Sequence, residues 1–307
     1  MDDLLKKLTI AIPVYNDVKY IGHTIESCLT EAGQIILCDN ASTDGSSEVC
    51  AAYAREHPHV THIRHPENLG ALENFRLPLF DCKTEYFCWV GSHDLLEKNY
   101  ALPILTAMEK EKEAVLGVGT IRHIDESGNA LRRVTKSHWA NRSRNKKPLD
   151  RVAACVARLK DCFMIYGIFR TKALQKFWIE QPILGHDRVI LTRAAAAGKI
   201  LYVEESVFCA RDFPASRNSA EDQQRRTAEL VKSGDRPLDK SLLPRHLGMI
   251  DVVMGLVKDE KDLKKALPVI GKINRRYVNR RYYQRLRAVA AVAALLLAVL
   301  LVWCGMT

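Results

Sequence analysis

A chain of 307 residues, 47% hydrophobic and 27% charged, can bury one large core and has ordinary globular composition, which excludes a disordered protein. Its 46 Lys and Arg outnumber 36 Asp and Glu for a formal charge of +10. The excess is concentrated in one run, Lys272, Arg275, Arg276, Arg280, Arg281, Arg285 and Arg287, so a basic nucleic-acid-binding face is not implied.

The start, MDDLLKKLTIAIPVYN, has no long apolar stretch and no cleavage site, and a signal peptide is not expected. From Leu8 the chain alternates short apolar runs with helical patterns. LTIAIPVYN reads as a strand, YIGHTIESCLTEA as a helix, QIILCDN as a strand and SSEVCAAYAREH as a helix. VTHIRH is the next strand, NLGALENFRLPLFDC a helix and YFCWVG a strand. This interleaving predicts an α/β, Rossmann-like fold whose mostly parallel sheet is flanked by helices, with ligands beyond the carboxyl ends of the strands.

Farther on, Arg132 to Arg151 is polar and reads as a mobile loop, and KDCFMIYGIFR as a return to the core. VILTRAAAAGKILYVEE is a helix ended by Gly198 and followed by a strand. Asp212 to Leu238 turns polar, as a lid or linker, before LLPRHLGMIDVVMGLVK and the basic helix. The segment Ala288 to Gly305, AVAAVAALLLAVLLVWCG, carries no charge and meets the lower length limit for a helix crossing a ~30 Å hydrocarbon core. It is expected to be a C-terminal transmembrane helix, a buried terminal helix being the alternative. The basic run before it then places the bulk of the chain on the cytoplasmic side of the inner (plasma) membrane, against anionic lipid. The expected division is 1–211 catalytic, 212–287 linker or lid with basic juxtamembrane helices, and 288–305 membrane anchor. Nine cysteines without a C-x-x-C pair suggest packed, reduced thiols.

Three polar clusters close predicted strands: Pro13-Val14-Tyr15-Asn16, Asp39 through Gly45, and Ser92-His93-Asp94. DNASTDGS alone would suit a helix N-cap and turn. In this order and spacing, with Asn68, Gly70 and Asn74 after the third strand, the set resembles glycosyltransferase family 2, whose members have the GT-A fold. The resemblance runs from about Leu8 to Val207.

What that resemblance implies is specific. Pro13, Tyr15 and Asn16 would line the base and ribose pocket of a nucleotide sugar, and Asp39 would accept a hydrogen bond from its base. Asn68, Gly70 and Asn74 would belong to the same pocket. Ser92-His93-Asp94 occupies the place of the family's D-x-D motif, departing from it at Ser92 and His93. Asp94 would bind a divalent cation, Mn²⁺ or Mg²⁺, and His93 could join it on Mn²⁺. A metal-free site and a His93 packed away from the ligand are the alternatives.

Asp187 in PILGHDRVILTRAAAAG would be the base that takes the acceptor's proton, a helix N-cap being the other role such an Asp fills. His186 would orient it or touch the acceptor. Tyr166 and Gly167 would wall the donor and acceptor cleft, and Arg211 would reach the diphosphate. An ordinary strand and a surface arginine explain these last residues equally.

The function implied is an inverting hexosyltransferase moving a sugar from a nucleotide donor to a lipid-linked or glycan acceptor at the cytoplasmic membrane face, in polysaccharide or glycolipid synthesis. A polyprenyl-phosphate monosaccharide transferase and a catalytically degenerate scaffold of a membrane assembly stand as alternatives. Homo-oligomerisation is left open.

Overall fold

The computed structural model describes residues 2–159, 162–180, 183, 185–213 and 243–277. Four strands, β1 (Leu8–Val14), β2 (Gln34–Asp39), β3 (Val60–Arg64) and β4 (Tyr86–Trp89), are joined by α1 (Val18–Cys28), α2 (Ser46–Glu56) and α3 (Ala71–Asp81). They pair in parallel in the order β3-β2-β1-β4. All seven residues of β1 are buried, as a strand covered on both faces requires. Its side chains divide by pleat: Leu8, Ile10, Ile12 and Val14 join one core cluster and Ala11 the other.

The second half extends the sheet with β5 (Leu95–Leu96), β6 (Ala114–Ile124), β7 (Ala130–Thr135), β8 (Ile168–Arg170) and β9 (Lys199–Arg211). The order continues β4-β8-β6-β9-β5, with β7 on β6. β8 runs antiparallel to both β4 and β6, while β6 and β9 are parallel. The expected mostly parallel sheet is therefore a mixed one. β8 is only three residues long and follows a 3-10 turn (Phe163–Tyr166).

Helices cover both faces. α1, α2 and α4 (Ala101–Lys110) bury Ile21, Ile25, Cys50, Ile104 and Met108 on one side. On the other lie α3, α6 (Pro148–Arg158), α7 (Thr171–Phe177) and α8 (His186–Ala197), burying Leu79, Val152, Leu174, Val189 and Leu191. Each such side chain contributes about 1.5–3 kcal/mol. Two helices after β9, α9 (Leu243–Met254) and α10 (Glu260–Tyr277), add Met249, Val253, Ala266 and Ile273 to this second cluster.

Two expectations change. Residues 132–151 are not a loop: β7, α5 (His138–Ser143) and the start of α6 occupy them. Polarity hid these elements, because β7 is an exposed edge and α6 is strongly amphipathic. Second, no helix among the described residues is long and apolar enough to cross a membrane. The fold class ending in a transmembrane helix and the single-pass inner-membrane placement are corrected accordingly. The helices expected to lead to the membrane instead turn apolar stripes onto the core, as a helix packed on a globular domain does. Segment 288–305, which suggested the span, lies outside the described residues, as do 214–242.

Candidate active site

The carboxyl ends of β1 and β2 are tied together by short polar side chains. Asn16, in the left-handed region at φ 51°, donates its N–H to Ser42 Oγ at 3.1 Å and accepts from the Thr43 N–H at 2.9 Å through Oδ1. Asp44 serves two helices: its Oδ2 accepts from the Val18 N–H at 3.0 Å and its Oδ1 from the Ser46 N–H at 3.0 Å. A carboxylate at two helix N-termini satisfies otherwise orphaned donors and complements both dipoles. Gly45, at φ 103°, makes the turn that allows this.

Asp39, fully buried at the end of β2, accepts from the Ser42 N–H at 2.9 Å, and its Oδ2 has no hydrogen-bond partner. Arg64 Nε at 3.3 Å and His62 Nε2 at 3.7 Å face that oxygen. Burial works against ionisation here, but His62 and Ser42 outweigh it and hold the carboxyl far below its usual range. Asn68 Oδ1 accepts from Asn40 Nδ2 at 2.9 Å and from the Gly70 N–H at 2.8 Å. Asn74 is buried and donates to the Cys38 carbonyl at 3.0 Å and the Val14 carbonyl at 3.4 Å, so it clamps the two strand ends. Pro13 is buried within β1, whereas Tyr15 is half-buried and Asn16 exposed.

Beyond β4, the Ser92-His93-Asp94 turn meets the β1–α1 loop. Ser92 Oγ donates to Asp17 Oδ2, and His93 Nδ1 lies 3.4 Å from the same oxygen. Asp94 is 3% exposed, and its Oδ1 accepts the Arg211 N–H at 2.8 Å. Burial raises the Asp94 carboxyl above its usual value, although His93 and Arg211 pull it down. Burial would lower the His93 imidazole, but the Asp17 hydrogen bond and the Asp94 charge raise it. For Asp17, burial is again the largest influence, and bonding to His93 and Ser92 overcomes it, leaving the carboxyl below its usual range.

The second half contributes Asp187 in the first turn of α8, half-buried, with Oδ1 accepting the Arg188 N–H at 2.8 Å. Gly185 at φ 76° precedes that helix. The Tyr166 phenol is raised by burial first, then by the charges of both Asp94 and Asp187. Its ring stacks on Phe208 at 5.2 Å.

Other expected residues turn inward. His186 donates Nε2–H to the Ile179 carbonyl at 2.8 Å and packs on Trp178 at 4.3 Å, and burial lowers its imidazole. It makes no bond that would orient Asp187. Gly167 lies against β6, where an added Cβ would come within 2.6 Å of the Gly117 carbonyl, so close packing accounts for it. Arg211 is spent on backbone carbonyls, donating to His93 at 2.7 Å, Asp125 at 2.9 Å and Glu126 at 2.8 Å.

The sequence reading gave no role to Asp17, His62 and Arg64, and quoted Asp44 only as part of a turn. Asp44 lies inside the quoted motif and its N-cap chemistry was available; Asp17 was signalled only by its place next to Asn16. Among the described residues, no group of three or more His, Cys, Asp or Glu is set to enclose a metal ion. A hard cation sharing phosphate oxygens needs only one or two protein carboxylates, and Asp94 with Asp17 fits that requirement.

The family model described as glycosyl transferase family 2 matches residues 9–176. Glycosyltransferase GlyG of Streptococcus pneumoniae is 33% identical over 124 residues, 39% of this chain and 40% of that protein. Chondroitin synthase of Escherichia coli is 29% identical over 128 residues, 40% of this chain and 18% of that protein. The chain thus matches less than half the length of these curated relatives. The crystal structure of S. aureus TarS 1–349 aligns at a TM-score of 0.51 and 14% identity, covering 88% of this chain and 81% of that one, and its complex with UDP-GlcNAc at 0.50 and 15%. At such identity the likeness is one of fold. With the family model spanning more than half of the residues, this chain belongs to glycosyl transferase family 2.

Proposed function

We propose that this glycosyltransferase is an inverting enzyme that moves a hexosyl group from a UDP-sugar to a glycan acceptor, with Asp187 as its base. The observation that supports the reading is a pair of carboxylates, Asp94 after a nucleotide-side strand and Asp187 at the start of α8, whose charges both act on the Tyr166 phenol. The choice of uridine rests on the TarS relative, which binds UDP-GlcNAc.

Each residue then has a task. Asp39 keeps a buried oxygen without a hydrogen-bond partner, faced at ion-pair distance by Arg64 Nε at 3.3 Å. An N–H from the base would satisfy it once Arg64 moves aside. Tyr15 and Asn16 flank the ribose. A divalent cation, when bound at Asp94 with Asp17 beside it, would neutralise charge on the leaving diphosphate. Asp187 takes the proton as the acceptor oxygen attacks the anomeric carbon and the bond to the diphosphate breaks, which inverts the centre.

The acceptor we place in a cleft of about 600 Å³ lined by Trp139, Met164, Lys136, Arg158 and Lys272. Leu159 on its wall accepts a hydrogen bond at 2.9 Å from Arg188, the neighbour of Asp187. An aromatic face with Arg158 and Lys272 beside it suits a saccharide carrying negative charge, Lys136 being paired with Glu204.

The test is thermal melting of the full chain with UDP, GDP, dTDP and CMP, each in Mn²⁺, Mg²⁺ or EDTA. A ligand at a hundred times its dissociation constant adds about 2.7 kcal/mol. A shift with UDP is expected, together with release of UDP from a UDP-sugar only when acceptor is supplied. A shift with another nucleotide would change the donor, and no shift with any would overturn the reading.

A further inference from the structure

We propose that Asp17, in the loop after β1, supplies the carboxylate that the Ser92-His93-Asp94 turn lacks at its first position, and acts as the positioning residue for that turn. The proposal rests on the functional reading above.

Asp17 is the residue before α1, where an Asp ordinarily caps its own helix, yet its side chain makes no capping bond. Asp44 caps the Val18 N–H in its stead, at 3.0 Å. Freed from capping, the Asp17 carboxylate takes Ser92 Oγ and His93 Nδ1 on one oxygen, Oδ2. Those two residues are the ones that depart from an acidic motif.

The loop is anchored from behind as well. The Asp17 N–H donates to Ser46 Oγ at 2.9 Å, so the starts of α1 and α2 and the turn after β4 are joined through one residue. Asp94 has less freedom. One of its oxygens is taken by Arg211, and the other lies where a Cβ on Gly91 would approach within 2.6 Å. The Asp17 side chain is 23% exposed, so the more accessible of the two carboxylates is the one from the first loop.

A structural clamp and a substitute carboxylate differ in what a transplant does. In the full chain, Asp17→Asn is expected to lower UDP affinity in Mn²⁺ by about 10- to 100-fold, the range typical of groups that orient metal ligands. UDP affinity in EDTA and the melting temperature without nucleotide should stay near wild type. Adding Ser92→Asp to Asp17→Asn should restore most of the Mn²⁺-dependent affinity. Asp17→Glu, which keeps the charge and suits a fold that tolerates Asn poorly, should retain part of it.

Calorimetric titration of UDP against each protein reads this without turnover. Equal Mn²⁺-dependence in Asp17→Asn and wild type overturns the proposal, as does a double variant that recovers nothing. Wild type binding UDP equally in Mn²⁺ and EDTA overturns it too, leaving the transferase reading intact. A wild type that binds none of UDP, GDP, dTDP and CMP removes both.

Discussion

The two halves of the site are built differently. At the ends of β1, β2 and β4, polar side chains bond to one another across loops, as with Asn16 to Ser42 and Thr43, Asp44 to both helix starts, and Ser92 to Asp17. Around α8, all the expected residues but Asp187 and Tyr166 bond into the core or to backbone: His186 to Ile179, Gly167 against β6, Arg211 to three carbonyls. The first half is a set of loops whose parts hold each other, and the second is a packed wall; under the proposed function the one is the ligand cradle and the other carries the base. Substitutions in the first should therefore change binding more than melting, and in the second the reverse.

The sharpest test is Asp187→Asn, the exception in the wall. Turnover should fall by about 10²- to 10⁴-fold with UDP affinity kept, measured by steady-state transfer and titration. Loss of binding without loss of turnover would end its assignment as base. Next in size, Gly167→Ala should destabilise by about 1–3 kcal/mol because a methyl has no space beside the Gly117 carbonyl, read from urea unfolding. Near-wild-type stability there would break the contrast.

Asn74→Ala crosses the division. It lies in the cradle but bonds to strand carbonyls, so it should cost about 1–2 kcal/mol of stability, and unfolding midpoints check it. The smallest effect concerns pH. His186 has a folded value lowered by burial, so the unfolded chain takes the proton first as pH falls. Its share of stability is complete above about 6.5, the ordinary imidazole value, and is lost as pH drops through the lowered folded value. His93, raised, works in the opposite sense. The difference in melting temperature between wild type and His186→Phe should therefore shrink as pH goes from neutral to acidic.

The strand ends of the first half were legible because they are local. Buried strands followed by Pro13 to Asn16, Asp39 to Gly45 and Ser92 to Asp94 announce themselves within a few residues. Asp17 was not, since its meaning lies in a contact 75 positions away. His186 and Gly167 show a related limit: a motif position says which residue stands beside a site, and only packing says which way it faces. The α5–α6 region and the final helices show the limit of composition. A polar edge strand reads as loop, and a basic helix conceals the stripe of Ala266 and Ile273 that buries it.

The bond from the Arg211 backbone to Asp94 bears on biosynthesis. The family match ends at residue 176, and every nucleotide motif is complete before it, yet the donor that seats Asp94 is encoded 117 positions after that residue. During translation at about 5–20 residues per second, the nucleotide-side loops would emerge on the order of ten seconds before the strand end that finishes them. A nascent chain stalled between these points carries all the strand-end motifs of the first half and no seated Asp94, so that carboxylate is fixed only once β9 has been made.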